Sequence, residues 1–348
     1  MNKTKYFRVF TFLMILIVVS CKKENVSKLV DETVYVRFQG ADMPVYLRGN
    51  IESKIIILVV HGGPGGNGLE YRSGLWTVPL EENYTMAYWD QRGQGMSHGK
   101  YDNISLLQMA KDMNAVVSAL KHKYGNDTKI FAYGHSWGGT VTAKYFVSDE
   151  IIKNVTGWIS SNGAHDMPKN DIESVKLFRK VASEQINKNH NKSNWEEIKI
   201  WANSIDTLSI SEQESYEINQ KGFEVEEWLI EDKELQERSS GGNSGVGLLS
   251  PVNPFSSSAN GGLTNLMLSN ETRSISLTDD LRKVTLPLLV LTGKYDFVVP
   301  PALAHDLYNL SSSLDKKIVV FEKSGHSPMT HEPIKYRNEI ISFIEANK

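Results

Sequence analysis

Residues 129–147 read KIFAYGHSWGGTVTAKYFV and place Ser136 between a short apolar strand and a helix that is rich in small residues. Gly134 and Gly138 flank this serine in a Gly-x-Ser-x-Gly pattern, which by itself is a weak signal. Between a strand and a helix, however, the pattern predicts a sharp turn that lifts the serine hydroxyl above the end of a parallel sheet. The N–H of Trp137 would then lie at the helix N-terminus and could donate to an oxyanion.

Strand and helix patterns alternate on both sides of this turn. We predict strands at 54–60, 84–90, 156–163, 286–293 and 316–321, and helices at 106–123, 140–147 and 334–346. The run KIIILVV at 54–60 is apolar throughout, as in a strand that is covered on both faces. Residues 33–49 predict an antiparallel hairpin at a sheet edge. The fold class is therefore α/β, with a mostly parallel central sheet flanked by helices and ligands at the carboxyl ends of its strands.

The alternation is interrupted by an insertion at residues 164–276, which is polar and helical in pattern. We call this insertion the cap, because a long insertion at this end of the sheet would cover the site. Two stretches of it, 239–247 and 253–262, are so rich in Gly and Ser that we expect irregular loops there. The α/β core would then be discontinuous, over 31–163 and 277–348, and would follow a tether at 21–30.

The N-terminus has the pattern of an export signal. Three basic residues precede the apolar run VFTFLMILIVVS, which is too short to span a membrane and ends at Cys21, the only cysteine. The sequence Val18-Val19-Ser20-Cys21 is similar to the lipobox of bacterial lipoproteins. We therefore expect that residues 1–20 are removed and that Cys21 is lipidated, which would anchor the protein in the bacterial cell envelope, facing the periplasm or the exterior. An ordinary signal peptide that ends near a cysteine is the alternative.

The composition limits the classes of function. The 348 residues are 40% hydrophobic and carry a formal net charge of −3, which suits a globular enzyme. No basic run interleaved with aromatic residues suggests nucleic-acid binding, and no Cys/His cluster has the spacing of a zinc site. We expect a small-molecule or short-peptide substrate, no nucleic acid, no metal, no cofactor, and contact with the membrane through the lipid anchor alone.

A nucleophilic serine needs a base, and the base needs an orienting carboxylate. On this type of fold the three residues follow one another in the order Ser, Asp, His. Asp296 and His326 each come directly after a predicted strand, so we expect both at the sheet edge that carries Ser136. Asp306 and His331 are the alternatives, but each lies further beyond its strand, in a predicted helix or loop.

The loop His61-Gly62-Gly63-Pro64-Gly65-Gly66 follows the strand at 54–60 and is expected to supply a second oxyanion donor. We assign that role to the N–H of Gly63, because glycines let the backbone approach a substrate closely. His61 precedes the nucleophile and is expected to hydrogen-bond the backbone of its own loop. His135, inside the turn, is interpreted as a structural neighbour of the serine.

Three motifs in this order carry a specific resemblance. They are HGGPG at 61–65, DQRGQGMS at 90–97 and GHSWGG at 134–139. Together they look like the proline iminopeptidase (prolyl aminopeptidase) family of α/β-hydrolases, over roughly residues 31–160 and 280–348.

The resemblance implies a triad of Ser136, Asp296 and His326, and an oxyanion hole made by the amides of Gly63 and Trp137. It also implies that the Asp-Gln-Arg-Gly segment at 90–93 supports the loop behind the hole. An aminopeptidase must in addition hold a free ammonium group, which requires carboxylates nearby.

The cap has eleven acidic residues between Asp206 and Glu237, of which Glu226 and Glu227 are our candidates for substrate binding. The Trp-Glu motif of the family is not cleanly present here. His135 also stands where strict iminopeptidases have glycine, so the identity of the released residue is left open.

We predict a serine hydrolase that acts by acyl transfer, an aminopeptidase that releases N-terminal residues, proline or other, from peptides. A lipid-anchored carboxylesterase with the same triad is the alternative. A third hypothesis is a binding protein with a hydrolase fold that has lost its activity. It conflicts with the presence of all three triad residues and both oxyanion loops.

Overall fold

The computed structural model describes residues 29–99, 104–239 and 252–348. The predicted signal peptide, Cys21 and all but the first residue of the Gly- and Ser-rich stretch 239–247 lie outside the described residues. Within the described ranges, none of the helices combines the length and the apolar character that crossing a bilayer requires.

One sheet contains all nine strands of the described residues. The strands are β1 (Leu29–Phe38), β2 (Ala41–Asn50), β3 (Ile55–Val60), β4 (Thr85–Trp89), β5 (His98–Gly99), β6 (Lys129–His135), β7 (Gly157–Ser161), β8 (Leu288–Gly293) and β9 (Lys316–Phe321). Their order is β1-β2-β4-β3-β6-β7-β8-β9, with β5 paired to β2. The hairpin β1–β2 and the β2–β4 pair are antiparallel, whereas every pair from β4 to β9 is parallel. The predicted α/β class is therefore confirmed.

Ten α-helices accompany the sheet in the described ranges. They are α1 (Thr77–Glu81), α2 (Leu106–Tyr124), α3 (Trp137–Val147), α4 (Met167–Lys188), α5 (Lys192–Ser204), α6 (Glu212–Glu231), α7 (Pro254–Arg273), α8 (Pro301–Leu310), α9 (Pro328–His331) and α10 (Pro333–Asn347). Short 3₁₀ turns occur at Ile51–Ser53, Gly68–Tyr71 and Thr278–Lys283.

The central strand β3 shows why the sheet is covered on both faces. Its side chains alternate, so that Ile56 and Leu58 pack into the cluster formed with α2 and α3. Ile57 and Val59 point the other way, into the cluster formed with α10. A strand whose two faces are both buried must be apolar at every position, which is the pattern of this run.

The cap leaves the core after β7 and returns before β8. Its helices α4, α5 and α6 share a small core of their own, which closes against Tyr295 and Phe297 beside the end of β8. An isolated antiparallel bridge between Asp166 and Ser276 joins the two ends of the insertion. The same loop that carries Asp296 is therefore also the surface on which the cap packs.

The expectation of an irregular loop at 253–262 is wrong, because these residues form the first half of α7. The side chain of Asn253 caps this helix by accepting from two backbone N–H groups. Buried residues recur along one face of α7, at Ser257, Gly261, Thr264 and Leu268. A Cβ on Gly261 would lie 2.1 Å from the carbonyl oxygen of Gly65. The small residues therefore allow close helix packing here, and do not break the helix.

Candidate active site

Ser136 occupies the turn between β6 and α3, with φ 54° and ψ −120°. A serine holds this unfavourable conformation only where the surroundings determine it, as in a turn that presents a nucleophile. The turn lies close to the end of β3, since a Cβ on Gly138 would be 1.9 Å from the carbonyl oxygen of Val60. Ser136 remains partly exposed, while its neighbours are buried.

Asp296 follows β8 and His326 follows β9, and the two side chains are in contact. Nδ1 of His326 lies 3.0 Å from Oδ2 and 3.1 Å from Oδ1 of Asp296. The carboxylate also accepts from the side-chain amide of Asn162 at 2.5 Å and from the N–H groups of Val298 and Val299. An Nδ1–H that donates to this fixed carboxylate leaves Nε2 of His326 available to accept a proton.

The electrostatics of His326 suit a base. Burial disfavours the charged imidazole, but the charge of Asp296, the hydrogen bond to it and the charge of Glu226 outweigh burial and raise the pKa of His326 above its usual value. A raised pKa makes the imidazole a stronger proton acceptor, which favours removal of a proton from a hydroxyl.

His135, the residue before Ser136, is in contact with His326. The rings of His135 and His326 are 4.9 Å apart, and Nε2 of His135 is 2.9 Å from the carbonyl oxygen of His326. The structure thus gathers the predicted nucleophile, base and carboxylate at one edge of the sheet.

The alternatives Asp306 and His331 are engaged elsewhere. Asp306 pairs with Lys169 at the start of the cap. Nδ1 of His331 is 2.5 Å from the carbonyl oxygen of Gln236.

The two predicted oxyanion donors, Gly63 and Trp137, line the same cavity as Ser136. Trp137 is the first residue of α3, where backbone N–H groups have no partner within the helix. Gln91, in the segment 90–93 that is expected to support this region, contacts both loops, and Gln94 just beyond it adds a further contact. The side chain of Gln91 donates to the carbonyl of His61 at 2.8 Å and accepts from the Trp137 indole at 3.2 Å. Gln94 accepts from the N–H of Gly65 at 2.6 Å.

His61 is buried in the loop that it begins. Its Nδ1 lies 2.7 Å from the carbonyl oxygen of Gly62, and its Nε2 accepts from the N–H of Gln91 at 3.3 Å. Burial lowers the pKa of His61 to about 4. The ring is therefore neutral and bonded to its own loop and the neighbouring one, which confirms the predicted structural role.

A cavity of about 660 Å³ adjoins Ser136, and cap residues form much of its lining. Its wall includes the carboxylate of Asp171, one turn into α4, and the apolar side chains of Met167, Val298 and Val299. Burial raises the pKa of Asp171, against the opposing hydrogen bonds from Ser215 and Asn170 and the charge of Arg273. Glu212, from the acidic run between Asp206 and Glu237, also lines the cavity, whereas Asp171 lies outside that run, where no substrate role is predicted. Its place in the first turns after the insertion point was the available signal.

The predicted substrate-binding pair, Glu226 and Glu227, does not line this cavity. Glu226 is 1% exposed and accepts from the N–H of His326 at 2.8 Å. Glu227 is exposed and paired with Arg238. Across the described ranges, no group of three or more His, Cys, Asp or Glu side chains is arranged to hold a metal ion.

Residues 52–220 and 265–333, more than half of the chain, match the family described as serine aminopeptidase, S33. A proline iminopeptidase from Saccharolobus solfataricus is 26% identical over 293 residues, which cover 83% of this chain and 84% of that protein.

Two solved structures share the fold. A proline iminopeptidase-related protein from Thermus thermophilus has a TM-score of 0.58 at 20% identity, over 91% of this chain and 98% of that one. An esterase from Exiguobacterium antarcticum has a TM-score of 0.53 at 17% identity, over 91% of this chain and 100% of that one. These likenesses show the α/β-hydrolase fold.

Proposed function

This chain belongs to the serine aminopeptidase S33 family of α/β-hydrolases and is a hydrolase enzyme, and from that premise we propose that it is an aminopeptidase that releases N-terminal residues, proline or other, from peptides. Ser136 is the proposed nucleophile, His326 the base and Asp296 the carboxylate that orients it. The backbone N–H groups of Gly63 and Trp137 form the proposed oxyanion hole.

The proposed reaction has two acyl-transfer steps. His326 accepts the Ser136 proton as Oγ attacks the scissile carbonyl carbon, and the two amides stabilise the oxyanion. His326 then gives that proton to the leaving amine, and the C–N bond breaks to leave an acyl-enzyme. Water, deprotonated by His326, attacks the ester carbon and the bond to Oγ breaks. Ser136 takes the proton back from His326, and the acyl group leaves as the free acid.

The observation that carries aminopeptidase activity is the carboxylate of Asp171 in the wall of the cavity that adjoins Ser136. A free N-terminal ammonium that enters this cavity loses water and needs a negative partner. Asp171 is half-buried, and burial raises its pKa although Ser215 and Asn170 hydrogen-bond to it and Arg273 lies near it. A further cation beside this carboxylate would favour its charged form. This assignment replaces Glu226 and Glu227 as the proposed ammonium partners.

An esterase is the second candidate, and the apolar part of the same wall favours it. Met167, Val298 and Val299 line the cavity and could hold an apolar acyl group without any charged partner. The proposed triad and oxyanion hole serve an ester equally well, since both reactions pass through a tetrahedral oxyanion.

The deciding experiment measures kcat/KM of the purified full-length chain on Pro- and Ala-naphthylamides, on their N-acetylated versions and on a p-nitrophenyl ester. Loss of turnover on acetylation is expected for an aminopeptidase, and the Pro-to-Ala ratio then gives its preference. Cleavage of the ester with no cleavage of either free-amine substrate contradicts the aminopeptidase proposal and supports the esterase.

Asp171→Asn tests the ammonium partner directly. We expect KM for the free-amine naphthylamides to rise roughly 10- to 100-fold, because the ammonium loses its negative partner, with ester cleavage nearly unchanged. Glu227→Gln is the matched control, since it neutralises a cap carboxylate outside the cavity lining. Equal effects of both variants on the free-amine substrates would contradict a specific role for Asp171.

We also propose that the protein is a lipoprotein of the cell envelope, on the basis of the sequence Val18-Val19-Ser20-Cys21. Metabolic labelling with radioactive palmitate should mark the wild-type chain in bacterial membranes. Labelling that persists in Cys21→Ser would contradict the proposed anchor.

A further inference from the structure

The main chain of His326 is held from two opposite sides by side chains that the proposed mechanism does not use. Glu226, on the cap helix α6, accepts from the N–H of His326 at 2.8 Å. His135, in the turn before Ser136, contacts the carbonyl oxygen of His326 at 2.9 Å. Both polar groups of one peptide position are thus bound, one from the cap and one from the core.

His135 also connects this position to the oxyanion loop. Its Nδ1 is 2.7 Å from the hydroxyl of Tyr71, and that hydroxyl accepts from the N–H of Gly62 at 2.9 Å. A hydroxyl that accepts from an amide can donate its own proton to a ring nitrogen. Nδ1 of His135 is then an acceptor and Nε2–H a donor, which is the tautomer that the carbonyl of His326 requires.

The protonation state of His135 agrees with this chain of hydrogen bonds. Burial, followed by the charge of His326, lowers the pKa of His135 to about 3. The ring is neutral over the working range of a serine hydrolase, so it can accept at one nitrogen while it donates at the other. Every bond from Gly62 to His326 therefore has a consistent direction.

Glu226 is fitted closely to the loop that it holds. It is 1% exposed, and a Cβ on Gly325 would lie 2.2 Å from its carboxyl carbon. Because Glu226 belongs to the cap and Gly325 to the core, this contact forms only when α6 is docked on the loop after β9.

We propose that His135 and Glu226 are positioning residues that hold the backbone of His326. We propose also that His135, through Tyr71, fixes the position of His326 relative to the oxyanion loop. This inference rests on the proposed roles of His326 and Gly63. A displacement of about 1 Å in a catalytic group can cost on the order of 100-fold in rate, so such a clamp affects kcat more than KM.

The test compares variants that remove each contact with variants that keep it. His135→Ala and Glu226→Leu remove the donor and the acceptor, whereas His135→Gln and Glu226→Gln retain an N–H and an oxygen of similar reach. Tyr71→Phe removes the connecting hydroxyl. Its matched control is Tyr133→Phe, which removes a buried hydroxyl that contacts Tyr336.

Two experiments are made on the full-length chain. One measures kcat and KM on a p-nitrophenyl ester, and the other measures amide hydrogen exchange of the peptide that contains His326. We expect the two removing variants to lose roughly 10- to 100-fold in kcat with KM changed less than about 3-fold, and to exchange faster at His326. The two retaining variants should recover most of the kcat. Tyr71→Phe should lose more kcat than Tyr133→Phe at equal loss of Tm.

The outcomes separate this inference from the proposed function. Unchanged exchange at His326 in both removing variants overturns the clamp, and faster exchange with unchanged kcat overturns its positioning role. Equal losses in Tyr71→Phe and Tyr133→Phe would overturn the connection to the oxyanion loop. Fluorophosphonate labelling that persists in Ser136→Ala contradicts the proposed function instead, and the exchange measurement still decides whether the clamp exists.

Discussion

The floor and the wall of the cavity are built in different ways. The floor is the set of core turns that follow β3, β6, β8 and β9. Gly63, Ser136 and Trp137 of these turns line the cavity, whereas Asp296 and His326 belong to the same turns but do not line it. Asp296, for example, is 0% exposed and is held by Asn162, by two backbone N–H groups and by His326. Much of the wall comes from cap helices, and Asp171, which lines the cavity there, is partly exposed.

This difference separates the two tasks of a hydrolase. Groups that stabilise a transition state must be fixed before the substrate arrives, and buried turns with complete hydrogen bonding provide that rigidity. Groups that only bind the substrate can belong to helices that shift slightly when the substrate enters. We therefore expect changes in the floor to reduce kcat by large factors and changes in the wall to act mainly on KM.

The largest expected effect is that of Ser136→Ala. If the floor performs the chemistry, kcat should fall on the order of 10⁶-fold, as when the nucleophile of a triad is removed. Labelling by a fluorophosphonate should vanish, while the thermal unfolding curve stays close to that of the wild type. Retained labelling would mean that another residue is the nucleophile and that the floor has been assigned wrongly.

The next effect is that of Asp296→Asn. The amide cannot stabilise the imidazolium and favours the wrong tautomer of His326, so we expect kcat to fall on the order of 10⁴-fold. KM for the p-nitrophenyl ester should change little. A dominant effect on KM would place Asp296 in the wall instead of the floor.

A substitution in helix α7 can show whether a change in the wall alters catalysis by the floor. Gly261 packs against the loop at Gly65, and the added Cβ of Gly261→Ala would meet that backbone at 2.1 Å. Displacement of the oxyanion loop should reduce kcat roughly 10- to 100-fold.

The neighbouring variant Gly262→Ala is the matched control, because its Cβ would have no atom within 4 Å. It should leave kcat unchanged and stabilise the helix by up to about 1 kcal/mol. Equal kcat values for the two alanine variants would show that α7 does not act on the floor.

The floor was largely predictable because its residues follow strands with clear apolar patterns. Ser136, Asp296 and His326 were each located by their distance from such a strand, and parallel strands bring their carboxyl ends to one edge. The structure places them together at that edge. Their catalytic roles remain predictions.

The wall was less predictable because helix packing depends on partners that are distant in sequence. Gly261 and the serines near it suggested a loop, since composition alone does not reveal that the helix must approach Gly65 closely. The sequence shows Glu226 only as one of several acidic residues on a cap helix, without a sign that it is buried. Its burial against His326 depends on the docking of the whole cap, and Asp171 was missed for the same reason.

The smallest expected effect concerns the fall of kcat/KM at low pH, the acid limb of its pH profile. It involves the contact between Glu226 of the cap and His326 of the core. Protonated His326 cannot act as the base, and its pKa is raised, so the midpoint of this limb should lie above about 6.5. Glu226 contributes to that rise, whereas neutral His135 carries no charge. Glu226→Gln should therefore move the midpoint to lower pH.

The shift should be less than about one pH unit, because Glu226 is itself only partly ionised there. Burial and the charge of Asp296 raise the pKa of Glu226 well above its usual value, against the opposing influence of His326 and Arg238. The exposed Glu224→Gln on the same helix is the control and should leave the midpoint in place. An upward shift in Glu226→Gln, or the same shift in both variants, would show that Glu226 does not raise the pKa of His326. The charge of this cap residue would then have no influence on the base in the core.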